Sequence, residues 1–232
     1  RISSLSKKAL LLLTTTLICS AGIANESLFG EARALQRDGK HDEAIEAYKN
    51  YLTQPTTDEE LAGERLFLYT EALMQLMNTY QSKGDPEACI QTLQEVFKAS
   101  PVLQDECLRD FYSVLGYALS RTERMKEAEE TMLKVFTLPL YQATPERQFR
   151  DYAYAAAVFY SNPNYQKEVV YWCQEALRQA ELCKNTSGKQ WVMAMLGSLY
   201  KQNGHLSKAL QLFHQSKEEA QERKDDLGIL NS

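Results

Sequence analysis

The side chains able to do proton, metal or covalent chemistry are few, and their spacing suits none of it. The histidines are His41, His205 and His214. His41 and His205 fall in polar steps that read as turns between helices. His205 and His214 lack the i, i+4 spacing that puts two imidazoles on one helix face for a metal. There is no His-Glu-x-x-His run and no Gly-x-Ser-x-Gly elbow. No glycine-rich phosphate loop appears, nor an alternating strand pattern for one to follow. Cys89, Cys107, Cys173 and Cys183 stand far apart, without the Cys-x-x-Cys pairing of zinc or redox sites. Each lies among apolar neighbours in a helical pattern, where cysteine serves as a small hydrophobe, so buried free thiols are expected. Disulfide pairing is the alternative in an oxidising compartment. The run Ser216 to Asp226 mixes signs and reads as a solvated helix face. Asn185-Thr186-Ser187 reads as a loop. These residues predict no catalytic, cofactor or metal site; the alternative is an enzyme whose site carries no recognisable motif.

What the rest of the chain specifies is helices. In 232 residues there are 10 glycines and 6 prolines, few enough to favour helix over an all-β fold. The stretch GKHDEAIEAYKNYLTQP, Gly39 to Pro55, is one amphipathic helix with a start and a stop, built on Ala44 and, four residues on, Tyr48. The pair recurs as Cys89 and Leu93, Ala128 and Met132, Val169 and Cys173, and Ala209 and Phe213. Successive first members are 45, 39, 41 and 40 residues apart. About twelve places before each comes a small residue: Ala32, Gly116, Ala157 and Gly197, with Met77 departing from the rule. Three residues later comes a bulky one: Leu35, Tyr80, Leu119, Tyr160 and Tyr200. Each unit is thus a helix, a tight turn and a second helix. Small residues let the pair approach and bulky ones fill the space between.

These residues resemble the tetratricopeptide repeat. Leu196-Gly197 with Tyr200, Gly204, Ala209 and Phe213 is the fullest match; Leu115-Gly116 with Leu119 and Ala128, and Gly39 with Ala44 and Tyr48, match in part. The resemblance covers roughly residues 26–224 and implies an all-α, right-handed α-solenoid of about five TPR-like helix-turn-helix repeats. Helix pairs are predicted near 26–38 with 41–53, 58–82 with 85–99, 105–121 with 124–137, 146–161 with 164–183, and 188–203 with 205–224. Two departures stand out. The spacing is near 40 rather than the family's 34. Val169 replaces a small residue, which predicts a splayed or shifted fourth pair. Leu138 to Glu146 is the longest break, expected to lie within one continuous array because each repeat needs its neighbours to cover its apolar face.

The resemblance further implies a protein or peptide ligand held in a groove lined by first helices. By that analogy the groove carries Arg33, Arg37, Met74, Asn78, Tyr117, Arg121, Tyr154, Val158, Trp191, Met195 and Ser198. The lysine/asparagine clamp that some relatives use for a C-terminal carboxylate is missing, since its places hold Phe29, Arg33, Gln75, Asp110 and Val114. Tyr117 and Arg121 are expected to form an aromatic and basic strip on an acidic protein, suited to a segment with acidic residues or a free carboxylate. The alternative is that Tyr117 packs between hairpins and Arg121 pairs with a nearby glutamate. The formal charge of −5 disfavours nucleic acid as a partner.

The N-terminus has the order of a secretory signal peptide: Arg1, Lys7 and Lys8, an apolar run from Ala9 to Ile18, then small residues. Residues 1–24 are read as that signal, with Ala24 last and lipidation at Cys19 as the alternative. Their removal takes away three positive charges and no negative ones, moving the formal charge from −5 to −8. Residues 25–225 are assigned to the solenoid and 226–232 to the start of a further helix in a longer chain. A signal followed by long-spaced repeats resembles the exported sensory region of bacterial membrane-bound regulators. That implies a periplasmic location, with any membrane attachment through segments outside this chain. A stand-alone periplasmic or surface adaptor is the alternative.

Overall fold

In the computed structural model, which describes residues 27–54, 64–100, 107–140 and 143–230, every regular element is helical. The order is α1 (27–37), α2 (His41–Leu52), α3 (Glu64–Lys83), α4 (Pro86–Ala99), α5 (Leu108–Leu119), α6 (Met125–Val135), α7 (Pro145–Phe159), α8 (Gln166–Leu182), α9 (Thr186–Gln202) and α10 (Leu206–Leu230). A 3-10 turn, Pro163–Tyr165, precedes α8. The proposed signal, residues 1–24, lies outside the described residues. The chain divides into two compact units, 1–114 and 115–232, with the boundary inside α5 rather than at the Leu138 to Glu146 connection.

In the first unit the repeat positions do what their sizes suggest. Ala32 and Ala44 are fully buried, which brings α1 and α2 together. Phe29 of α1 lies against Tyr48 and Tyr51 of α2, and Tyr51 against Tyr69 of α3, at centroid distances of 6.1, 5.5 and 5.2 Å. Tyr69, Leu73, Leu76 and Tyr80 form one buried stripe along α3 at helical spacing. The hydroxyl of Tyr48 donates to Gln36 Oε1 at 2.8 Å, and burial pushes its pKa up to about 12. The turn before α4 shows how the chain reverses. Gly84 adopts φ +72°, and the Asp85 amide donates back to the Tyr80 carbonyl at 3.2 Å. That bond ties off the end of α3. Asp85 then caps α4 by accepting from the Ala88 amide, and Pro86 takes the first helical place, where a missing N–H costs nothing.

In the second unit the small residues mark the closest approaches. A Cβ at Gly116 would lie 3.1 Å from Met132 Cε, and one at Gly197 would lie 2.7 Å from the Phe213 ring. Both are the small and bulky partners expected from the repeat. Three expectations are corrected. The α7–α8 pair is not splayed: Val169 and Cys173 are fully buried, and Ala153, Ala155 and Ala156 on α7 are buried too. Small residues on the first helix make the room that Val169 takes on the second. Residues 226–230 continue α10 rather than opening a new helix. Arg121, expected on the first helix, lies in the turn after α5. The four cysteines among the described residues are free thiols; Cys89, Cys107 and Cys173 are buried and Cys183 half-buried.

Candidate functional site

Within the second unit, α5, α7 and α9 each bring an aromatic residue to one cleft. Tyr117, Tyr154 and Trp191 stand at positions each 37 residues after the last. The Tyr117 and Tyr154 rings stack at 4.3 Å with an interplanar angle of 10°. Trp191 meets both edge-on, at 6.0 and 6.3 Å. Such contacts each add about 0.5–1.5 kcal/mol beyond area burial and hold the indole in place. Tyr154 is buried, Tyr117 half-buried, and Trp191 remains 37% exposed.

The cleft has a volume of about 410 Å³. Trp191, Met195, Ala194 and Ala157 supply its apolar wall, with Tyr160, Ser120, Ser161 and Ser198 around them and Arg121 at its edge. Several hydroxyls already have partners. Ser120 donates to the Tyr117 carbonyl at 2.7 Å, and the Tyr160 hydroxyl hydrogen-bonds the side chains of Ser198 and Gln202. Burial raises the Tyr160 pKa against those bonds. Burial likewise raises that of Tyr117, opposed by the Arg121 charge beside it. Arg121 itself is exposed and has no ion-pair partner among the described residues.

Of the residues expected in a groove, the structure brings Tyr117, Arg121, Tyr154, Trp191, Met195 and Ser198 to this cleft or its wall. Val158 is buried in the core of the same unit. Arg33, Arg37, Met74 and Asn78 belong to the other unit. There Arg33 and Arg37 are exposed on α1, and the Arg33 guanidinium lies 5.9 Å from the Phe29 ring centroid. Tyr117 does not offer an open face, because Tyr154 covers it. Tyr160 is expected from its spacing only as filler between paired helices; its lining role is an addition, and nothing in that spacing distinguishes it from Leu119 or Tyr200. Among the described residues no group of three His, Cys, Asp or Glu side chains converges, and no helix is long and apolar enough to cross a membrane.

Two family models, each described as a tetratricopeptide repeat, match residues 26–57 and 110–139. These ranges hold the α1–α2 and α5–α6 hairpins. No curated protein matches the chain. Similar solved structures include BtubC (BKLC) from P. vanneervenii, 18% identical over 91% of this chain and 85% of that one, with a TM-score of 0.59. A thermophilic TPR protein from Thermus thermophilus, TTC0263, is 17% identical over 87% of this chain and 94% of that one, with a TM-score of 0.55. Bacillus thuringiensis PlcR, solved with the peptide PapR7 and DNA, is 13% identical over 86% of this chain and 73% of that one, with a TM-score of 0.51. The likeness shows an all-α fold of the tetratricopeptide-repeat class.

Proposed function

We propose, for a chain that carries tetratricopeptide repeats, that it is a non-enzymatic scaffold binding a protein or peptide segment in the cleft of its second unit. The observation that carries this reading is Trp191. An indole pinned edge-on by two tyrosines, yet left 37% exposed beside a cleft, has the makings of a binding anchor. A peptide complex of one structural relative, PlcR, is in keeping with that use of the fold. The test compares the parent with Trp191→Ala in affinity capture from an envelope extract, alongside a thermal melt of each. A partner retained by the parent and lost by a still-folded variant is expected; equal capture would remove the cleft from the function.

We place the protein in the periplasm as the sensory or interaction region of a larger bacterial signalling protein. The supporting feature is the basic, apolar and small-residue order of residues 1–24 ahead of long-spaced repeats. Intact mass after expression with this N-terminus should correspond to loss of Arg1 to Ala24. A retained Arg1 contradicts export by this route, and a lipid on Cys19 selects the other processing. An apolar run of about 20 residues encoded after Ser232 favours the regulator over a stand-alone adaptor.

A further inference from the structure

We infer that the ligand of the cleft is a peptide segment placing a large apolar side chain, aromatic or leucine, against Trp191 and the carboxylate of a neighbouring acidic residue on Arg121. This rests on the cleft being the protein-binding site, and adds the chemistry of what it binds.

Charge comes first. Arg121 is the one charged residue among those lining the cleft. Elsewhere in the same unit, two other arginines are held by glutamates three residues away, half-buried Arg124 at the start of α6 and exposed Arg178 within α8. Arg124 pairs with Glu127 at 2.7 Å, and Arg178 with Glu175 at 2.8 Å. Arg121 lies in the turn after α5, the residues three and four places from it (Tyr117, Ala118, Arg124 and Met125) carry no carboxylate, and no described carboxylate reaches it. A guanidinium beside an apolar wall, with its donors uncommitted, selects a planar anion and favours a carboxylate over a neutral amide. A lysine or arginine in the ligand would be repelled there.

Shape and polarity specify the rest. Ala157 and Ala194 leave depth between Trp191 and Tyr160, and Met195 adapts to the shape of what enters. The volume admits one large side chain with its adjoining backbone and excludes a folded domain. The hydroxyls of Ser120 and Tyr160 are already engaged, so the wall favours an apolar group over a hydroxyl-rich one.

The experiment selects phage-displayed random peptides of about twelve residues against the full chain. Selected sequences are remade as capped fluorescent peptides and titrated against the parent, Trp191→Ala, Arg121→Lys and Arg121→Glu. Each variant is checked for an unchanged circular dichroism spectrum. The expected binders carry Phe, Tyr, Trp or Leu within two residues of Asp or Glu. Trp191→Ala and Arg121→Glu should each weaken them by about tenfold or more, with Arg121→Lys intermediate. Selection against Arg121→Glu should shift the acidic position to Lys or Arg. Binders that need Trp191 but lack an acidic residue, or ignore Arg121→Glu, overturn the chemistry and leave the cleft standing. Binders indifferent to Trp191→Ala overturn the cleft itself, and failure to select any peptide overturns both.

Discussion

Two aromatic series, one in each unit, end in opposite ways. In residues 1–114 the series Phe29, Tyr48, Tyr51 and Tyr69 runs between helices and is closed, with every ring below 7% exposure. In residues 115–232 the series Tyr154, Tyr117 and Trp191 begins in the core and ends at a rim. The contacts differ too, tilted at 40–59° in the first series and stacked or edge-on in the second, and one set fills a core while the other borders a cleft. The last ring of the first series, Tyr69, is fully buried, and the last ring of the second, Trp191, is 37% exposed. On the proposed binding role, Trp191 differs from Tyr69 through its place in the stack, not through being aromatic.

The largest expected difference between the two series is in stability. Tyr48→Ala empties a fully buried site and should lower stability by about 3–5 kcal/mol, whereas Trp191→Ala, 37% exposed and holding two ring contacts, should lose less, about 1–3 kcal/mol. Urea titration of both variants checks this; equal losses would make Trp191 a core residue. Next in size is the hairpin contact outside the aromatic series. Ala209 is buried on α10, and Ala209→Leu should overpack it by about 1–3 kcal/mol. A melt that matched the parent would show that the repeat register there is wrong.

The closed series also has a signature in pH. Burial raises the Tyr48 pKa from 10.0 to about 12, so the folded state holds its proton more tightly than the unfolded chain. Its contribution is therefore full below about pH 10 and is lost as the pH rises toward 12. Urea midpoints from pH 8 to 11 should fall more steeply for the parent than for Tyr48→Phe; parallel slopes would place Tyr48 in a solvated site.

Much of this architecture was legible in the sequence, because it is written in local and periodic terms. Ala44, Ala128 and Ala209 mark helix contacts by size alone, and the structure buries all three. Gly116 and Gly197 fall where a Cβ would collide with the expected partner helix. The splaying expected from Val169 failed because compensation came from alanines on the opposite helix, which a rule about one position does not see. The cleft was legible only as a set of first-helix residues. That Tyr154 covers Tyr117 depends on how consecutive first helices face each other, which spacing along the chain does not fix. The boundary of α5 mattered as well: Arg121 lies in a turn rather than on the first helix, and unlike Arg124 and Arg178 it has no glutamate three or four places away.

The smallest predicted effect comes from a turn that departs from the glycine rule. Gly39, Gly84 and Gly204 end their helices at φ between +72° and +76° within hairpins, but the turn after α8, which joins two hairpins with the same hydrogen-bond pattern, has Lys184 at +54°. The Asn185 amide still donates back to the Ala180 carbonyl at 2.8 Å, so the turn geometry is kept with a side chain that resists it. Lys184→Gly should stabilise the second unit by about 0.5–1 kcal/mol. Differential scanning calorimetry checks this, and a lower melting temperature would mean the lysine side chain makes an offsetting contact.

The cleft as the docking site is tested most directly by photo-crosslinking in living cells. A benzoylphenylalanine is placed at Ser161, an exposed residue of the cleft lining in the turn after α7, and in a separate strain at Leu182, an exposed position outside the cleft. One discrete crosslinked partner is expected from position 161 and none from position 182, with the adduct lost when Trp191→Ala is added. Crosslinks from position 182 alone, or an adduct at 161 that survives Trp191→Ala, would contradict the cleft as the docking site.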